Sequence, residues 1–144
     1  MKAVGLWIII TLIFPVWAVT VYAQTGTITV EISGIDEIKG QLIISLYNQA
    51  DDFPEVGKEY ATAKAKVTGK IVTYIFPDIP PGDYAIAMYH DSNNNGEIDK
   101  NFLGIPMEGY GFSRNVSAIF GAPDFTDAAF KLIDHYTAKI NLKY

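Results

Sequence analysis

Apolar and polar residues alternate with a period of two through much of the chain beyond residue 25. Ile28, Val30 and Ile32 alternate with Thr27, Thr29, Glu31 and Ser33; Ala138, Ile140 and Leu142 alternate with Thr137, Lys139, Asn141 and Lys143. Successive side chains of a strand point to opposite faces, so this pattern predicts strands with one buried face. Residues 41–48, 61–68, 70–77, 83–90 and 128–133 are short, rich in β-branched or aromatic residues and bounded by turn residues, which predicts five more. Turns are expected at 36–40, at Thr68-Gly69-Lys70, at Pro80-Pro81-Gly82 and at Asp134-His135. No segment keeps a helical period; 52–60 and 123–127 could each form a single turn.

Seven short strands predict an all-β fold, a seven-stranded antiparallel β-sandwich of immunoglobulin- or transthyretin-like shape; a closed barrel has the same strand signature. Within 76–88, Tyr84 opens a strand just after the proline turn, where its hydroxyl can reach back to a turn carbonyl. The stretch 91–127 breaks the rhythm, being long and poor in strand pattern. It carries Phe102, Leu103, Ile105, Pro106, Met107, Tyr110, Phe112, Ile119, Phe120 and Phe125, more apolar surface than a disordered segment holds, so an ordered loop packed on the end of the sandwich is expected.

The N-terminus reads as a secretory signal over residues 1–23, with Lys2, an apolar run from Ala3 to Ala18, and Val21-Tyr22-Ala23 before Gln24. An uncleaved anchor is the alternative, since a span takes roughly 17–25 apolar residues. Cleavage would leave one domain, residues 24–144, with no further apolar run of membrane length. The expected location is the periplasm or the external medium. The chain has no cysteine, which excludes disulfides, thiolate catalysis and most structural zinc sites. Its net charge is −5, and without Lys2 it becomes −6. An acidic domain with no Arg/Lys cluster argues against nucleic acid; Lys64, Lys66 and Lys70 read as a solvated strand face and its turn.

The residues that could carry chemistry gather in 90–113. Asp91, Asn93 and Asn95 alternate, Gly96 allows a sharp turn, and Asp99 follows. A hard cation wants six to eight oxygens, and alternate residues of a curling loop can supply them, with Glu97 giving a backbone carbonyl. Asp91, Asn93, Asn95, Glu97 and Asp99 are therefore candidate calcium ligands, resembling the first nine positions of an EF-hand loop. The twelfth position, where that loop has a bidentate glutamate, is Phe102, so Glu108, Asp51 or Asp52 from elsewhere, or water would have to complete the cage. The competing reading is an Asn-Gly turn held by side chain–backbone hydrogen bonds without metal. His90 is expected to orient Asp91 or cap the loop, and no serine stands in a nucleophile elbow. The pairs Asp51/Asp52, Asp78/Asp83 and Glu97/Asp99 read as solvated turn acids. Phe102, Tyr110, Phe112 and Phe120 either form a ligand platform, with Tyr110 and Phe112 as its surface, or fill the gap between loop and sandwich. Asn115-Val116-Ser117 fits a glycosylation sequon.

The phrase YHDSNNNGEIDKNFLGIPMEGYGFSRN, with FPDIPPGDYAIAMYHD, FGAPDFTDAAFKL and the early VEISGI and KGQLIISLYN, resembles the bacterial domain-of-unknown-function family 2141. The resemblance covers nearly all of 24–144. His90, Asp91, Asn93, Asn95, Gly96, Asp99, Asn101, Gly104, Pro106, Glu108, Gly109, Tyr110, Gly111 and Phe112 stand on its hallmark phrase. It implies an exported bacterial sandwich protein and no activity. The reading that follows is a non-catalytic binding or accessory module of the bacterial cell envelope, its partner an envelope polymer or protein. The alternatives are a structural protein assembling through sheet edges and a hydrolase using His90 with the loop acids.

Overall fold

The computed structural model describes residues 24–118 and 121–144, so the predicted signal at 1–23 lies outside the described residues, as do Ile119 and Phe120. Ile28, Val30 and Ile32 are fully buried while the residues between them are partly open, as the alternation requires. They belong to β1 (Gly26–Ser33), followed by β2 (Gln41–Tyr47), β3 (Ala61–Lys66), β4 (Val72–Ile79) and β5 (Gly82–Asp91). The chain ends with β6 (Tyr110–Phe112), β7 (Phe130–Leu132) and β8 (His135–Asn141). A single helical turn, α1 (Phe125–Ala128), precedes β7.

The strands form an all-β sandwich of two sheets. One has the order β4-β1-β8; the other has the order β3-β2-β5-β6, with β7 pairing the start of β5. Ile28, Val30 and Ile32 of the first sheet meet Leu42, Ile44, Leu46, Ile86 and Met88 of the second in the main core. Among the described residues no helix is long and apolar enough to cross a membrane.

Four details differ from the reading of the pattern. There are eight strands among the described residues, because the stretch 91–127 contains β6. β6 is three residues long with Gly111 at its centre, too short for a period to show. The pairing of β1 with β8 is parallel, with Ile28 opposite Tyr136 and Ile32 opposite Ile140. Alternation is identical in parallel and antiparallel strands, so direction is set by the path of the chain and not by the pattern. Finally, β4 begins at Val72 and runs through Pro77 to Ile79, tolerated because it is an edge strand of its sheet. His135, expected in a turn, opens β8.

The turn after β4 is built as expected, with Tyr84 Oη donating to the Pro80 carbonyl at 2.9 Å. Lys70 is not a free surface charge; its Nζ donates to the Ile35 carbonyl at 3.1 Å and to that of Asp36 at 2.6 Å. The C-terminal segment joins the sheets. Leu142 N–H donates to Ser33 in the first sheet, and Tyr110 and Lys143 then exchange two backbone bonds of 2.9 Å in the second. That pairing requires the small residues flanking Tyr110. A Cβ on Gly111 would lie 2.6 Å from Ile140 Cγ2, and one on Gly109 would enter the Tyr144 ring.

Candidate functional site

Asp91 ends β5 fully buried, and its carboxylate is saturated with donors. Gln41 Nε2, from the paired position on β2, donates at 2.7 Å; the N–H groups of Asn95 and Gly96 donate at 3.0 and 2.9 Å. Burial acts to raise the carboxyl pKa, but Gln41 and the backbone donors outweigh it and hold Asp91 below the ordinary carboxylate value. Asn93 and Asn95 accept from backbone N–H groups two residues on, and their amide nitrogens donate to Asp99 at 2.7 and 3.0 Å. Asn94 and Gly96 take left-handed backbone, φ 59° and 82°. Glu97 is exposed. The oxygens of Asp91, Asn93, Asn95 and Asp99 thus turn in on one short loop and accept N–H groups there. Among the described residues no three His, Asp or Glu side chains gather in a metal-binding group.

Glu108 holds the rest of the loop. Glu108 is buried and accepts from Ser92 N–H at 2.9 Å and Asp99 N–H at 3.2 Å, a clasp that the spacing of the first nine positions did not suggest. The His90 ring, expected to orient Asp91 or cap the loop, does neither. Its Nε2 lies 2.8 Å from the Lys39 carbonyl, which can only accept, so Nε2 donates there, and Nδ1 lies within hydrogen-bond distance of Tyr144 Oη at 2.8 Å. Tyr144 Oη in turn accepts from Asp36 N–H at 3.0 Å. His90 is therefore a fixed link between the 36–40 turn and the C-terminus, bordering a small polar cavity of about 170 Å³. The sequon residue Asn115 is occupied as well, donating to the Lys139 carbonyl at 3.1 Å and accepting from Asn141 N–H at 2.8 Å.

The larger feature lies on the outer face of the second sheet. Register aligns Lys64, Ile43, Tyr89 and Tyr110 in one row across β3, β2, β5 and β6, and Thr62, Ser45, Ala87 and Phe112 in the next; Tyr47 pairs Ala85 beyond them. Ser45 and Ala87 are small and the flanking residues are rings, so the sheet carries a hollow. It opens as a cleft of about 580 Å³. Pro54 and Val56 contribute to its rim, as do Ile98, Lys100, Ile105 and Pro106 from the loop.

The rings of this cleft are braced from behind. Tyr47, Phe53, Ala85, Phe112 and Ala128 form a second apolar cluster, with Phe53 edge-on to Tyr47, Phe112 and Phe125 at 5.3, 6.1 and 5.9 Å. Tyr89 Oη donates to the Gly96 carbonyl at 2.9 Å and Tyr47 Oη to that of Glu55 at 3.3 Å, tying the cleft walls to its rim. Burial first, then nearby carboxylates, pushes both hydroxyls up to about 12, so the walls are neutral at ordinary pH. Tyr110 and Phe112, the expected ligand surface, both line the cleft, Tyr110 half-buried and Phe112 8% exposed. Phe102 does not fill a gap in the fold; it stands 94% exposed on a small hairpin closed by the Lys100–Pro106 bridge. Phe120 lies outside the described residues. Ser45, Tyr47, Ala87 and Tyr89 were missed as site residues. Their signal was parity: small and aromatic residues where strands facing water carry polar ones.

A family model described as "Uncharacterized protein conserved in bacteria (DUF2141)" matches residues 30–141. The chain belongs to this family. The DUF2141 match runs from within β1 to the end of β8, so it takes in both sheets, the Asp91–Glu108 loop and the cleft. No curated protein and no solved structure matches the chain. The phrase by which the sequence resembled DUF2141 has physical content in this chain. Asp91 and Glu108 tie the loop, Gly109 makes room for Tyr144, Gly111 lets β6 approach Ile140, and Tyr110 and Phe112 wall the cleft.

Proposed function

We propose that this DUF2141 protein is an exported, non-catalytic binding module of the bacterial cell envelope and that the cleft on its second sheet is the binding site. One observation carries the reading. An antiparallel sheet with one face on a core ordinarily turns polar residues to water on the other. Here the second face presents Tyr47, Tyr89, Tyr110 and Phe112 around a Ser45–Ala87 floor, in a volume within the roughly 300–1,000 Å³ of small-molecule sites. The leader-like N-terminus supports export.

The fixed roles of the polar groups support a binding rather than a hydrolytic task. Both nitrogens of His90 are engaged by the fold, and Ser92 Oγ reaches Glu108 at 3.3 Å rather than His90. Buried Ser113 donates to the Ala128 carbonyl at 2.6 Å and accepts from Ile86 N–H at 2.9 Å. Assembly through sheet edges is disfavoured by the edges themselves. β3 places Lys64 and Lys66 on its rim, and β4 carries Pro77 followed by Asp78 at φ 56°. A weak calcium role for the Asp91–Asp99 loop is the second reading, favoured by the inward-turned oxygens. An ion there would have to displace the Asn93 and Asn95 amides from Asp99.

Filling the floor tests the site. Ligand-observed NMR with a set of small aliphatic and aromatic compounds should show binders to the protein, and these should be lost in Ala87→Leu while the melting temperature stays within a few degrees. Binding that survives a filled floor would place the site elsewhere.

A further inference from the structure

We infer that the cleft takes an anionic amphiphile, an apolar acyl or aryl body bearing one carboxylate or phosphate, and that Lys100 receives the charged head. The inference rests on the cleft being the binding site and concerns what fits it. Among the described residues Lys100 is the one charged residue lining the cleft. It is exposed, and no carboxylate of the described residues pairs with it, although Lys39, Lys58 and Lys139 all have acidic partners. A free cation at the rim of an apolar hollow complements a ligand that is apolar at one end and negative at the other.

The walls decide the body. The hydroxyls of Tyr47 and Tyr89 are already donated to the carbonyls of Glu55 and Gly96, so they have no proton left to offer a sugar or a peptide. A polar body would meet few side-chain hydroxyls here, those of Ser45 and Tyr110, and would regain only part of the hydrogen bonding it loses with its water. An apolar body loses nothing, and beyond the rim the surface stays apolar, with Ile105, Leu103 and Phe102 exposed. An acyl chain could come from a free fatty acid or from a single-chain phospholipid; the two share the chemistry that the site reads.

The test titrates purified protein with four probes: dodecanoate below its micelle threshold, lysophosphatidylglycerol, dodecanol and dodecyltrimethylammonium, followed by amide chemical shifts. Saturable 1:1 binding of an anionic probe, at least tenfold tighter than the cation and weakened at least tenfold in Lys100→Glu, is the expected result. Tighter binding of dodecanoate would point to free fatty acid as the source, and tighter binding of lysophosphatidylglycerol to lipid. Lys100 is exposed, so the fold should tolerate the change; Lys100→Gln, with intermediate loss, checks that charge and not misfolding is read. Equal binding of anion and cation, or an unchanged affinity in Lys100→Glu, would overturn the inference. If dodecanol bound equally well and Ala87→Leu abolished it, the cleft would stand as the site and the anionic head would fall. Shifts confined to residues away from Ala87 and Tyr110 would remove the cleft as well, and absence of binding by all four probes would end the proposal.

Discussion

The two outer faces of the sandwich obey the same alternation and end in opposite chemistry. On the β4-β1-β8 sheet the outward positions include Thr29, Glu31, Ser33, Thr73, Thr137 and Lys139, with exposed Ile75 the apolar exception and Glu31 and Lys139 paired by register and 3.5 Å apart. On the other sheet β3 keeps Thr62 and Lys64 outward, and beyond the Gln41–Asp91 pair the outward residues of β2, β5 and β6 are Ile43, Ser45, Tyr47, Ala85, Ala87, Tyr89, Tyr110 and Phe112. From Leu42 to Tyr47, β2 is buried on both sides, because the Phe53 segment, the loop and the stretch after β6 cover it. A sheet needs one core face to fold. The second apolar face is extra to that need, and only part of it is covered, which leaves the cleft.

Breaking this contrast should have its largest effect on stability. Phe112→Ala removes a ring from the second cluster and should cost about 3–5 kcal/mol, whereas Thr29→Ala or Lys139→Ala on the opposite face should stay within about 0.5 kcal/mol, measured by denaturant unfolding. Near-equal costs would mean that the second face is no more part of the folded core than the first.

Asp91 comes next, since it joins the loop wall of the cleft to β2 and β5. Asp91→Ala leaves the N–H groups of Asn95 and Gly96 and the Gln41 amide without their acceptor and should cost about 3 kcal/mol. The folded-state pKa of Asp91 is lowered, so its contribution is present above the ordinary carboxylate value of about 3.9 and is lost as pH falls through the lowered one. Asp91→Asn should therefore flatten the fall in stability below about pH 4, read from melts across an acid series. An unchanged acid limb would mean that other carboxylates control it.

The smallest expected effect is that of calcium. For a site with Kd about 1 mM, calcium at about 10 mM should add about 1.4 kcal/mol over chelator, magnesium should add little, and Asp91→Asn should remove the gain. A melt that ignores calcium would leave the hydrogen-bonded turn as the whole account of the loop.

How much of this was legible in the sequence varied with the range of the interaction. Core faces such as Ile28-Val30-Ile32 could be read directly, because alternation is local. The Tyr84 hydrogen bond could be read too, because it spans four residues. The loop was recognised, with Glu108 as an acid that could close it, but its hydrogen bonds were not, since Glu108 meets Ser92 across sixteen residues and no spacing rule covers that reach. Tyr110 and Phe112 stood out as aromatics in a long loop; their partners Tyr47 and Tyr89 did not, being ordinary strand residues in sequence.

By itself, then, the order of amino acids determined seven of the eight described strands, which sides of β1 and β8 are buried, and that 91–99 is a tightly turned polar loop, since each depends on neighbours within a few positions. Tertiary structure alone decided that β8 runs parallel to β1, that His90 links the C-terminus to the 36–40 turn, and that Ser45 and Ala87 lie side by side beneath a ring of aromatics. Those outcomes depend on register between strands distant in sequence, and a cleft is a property of rows across a sheet, which no single strand contains.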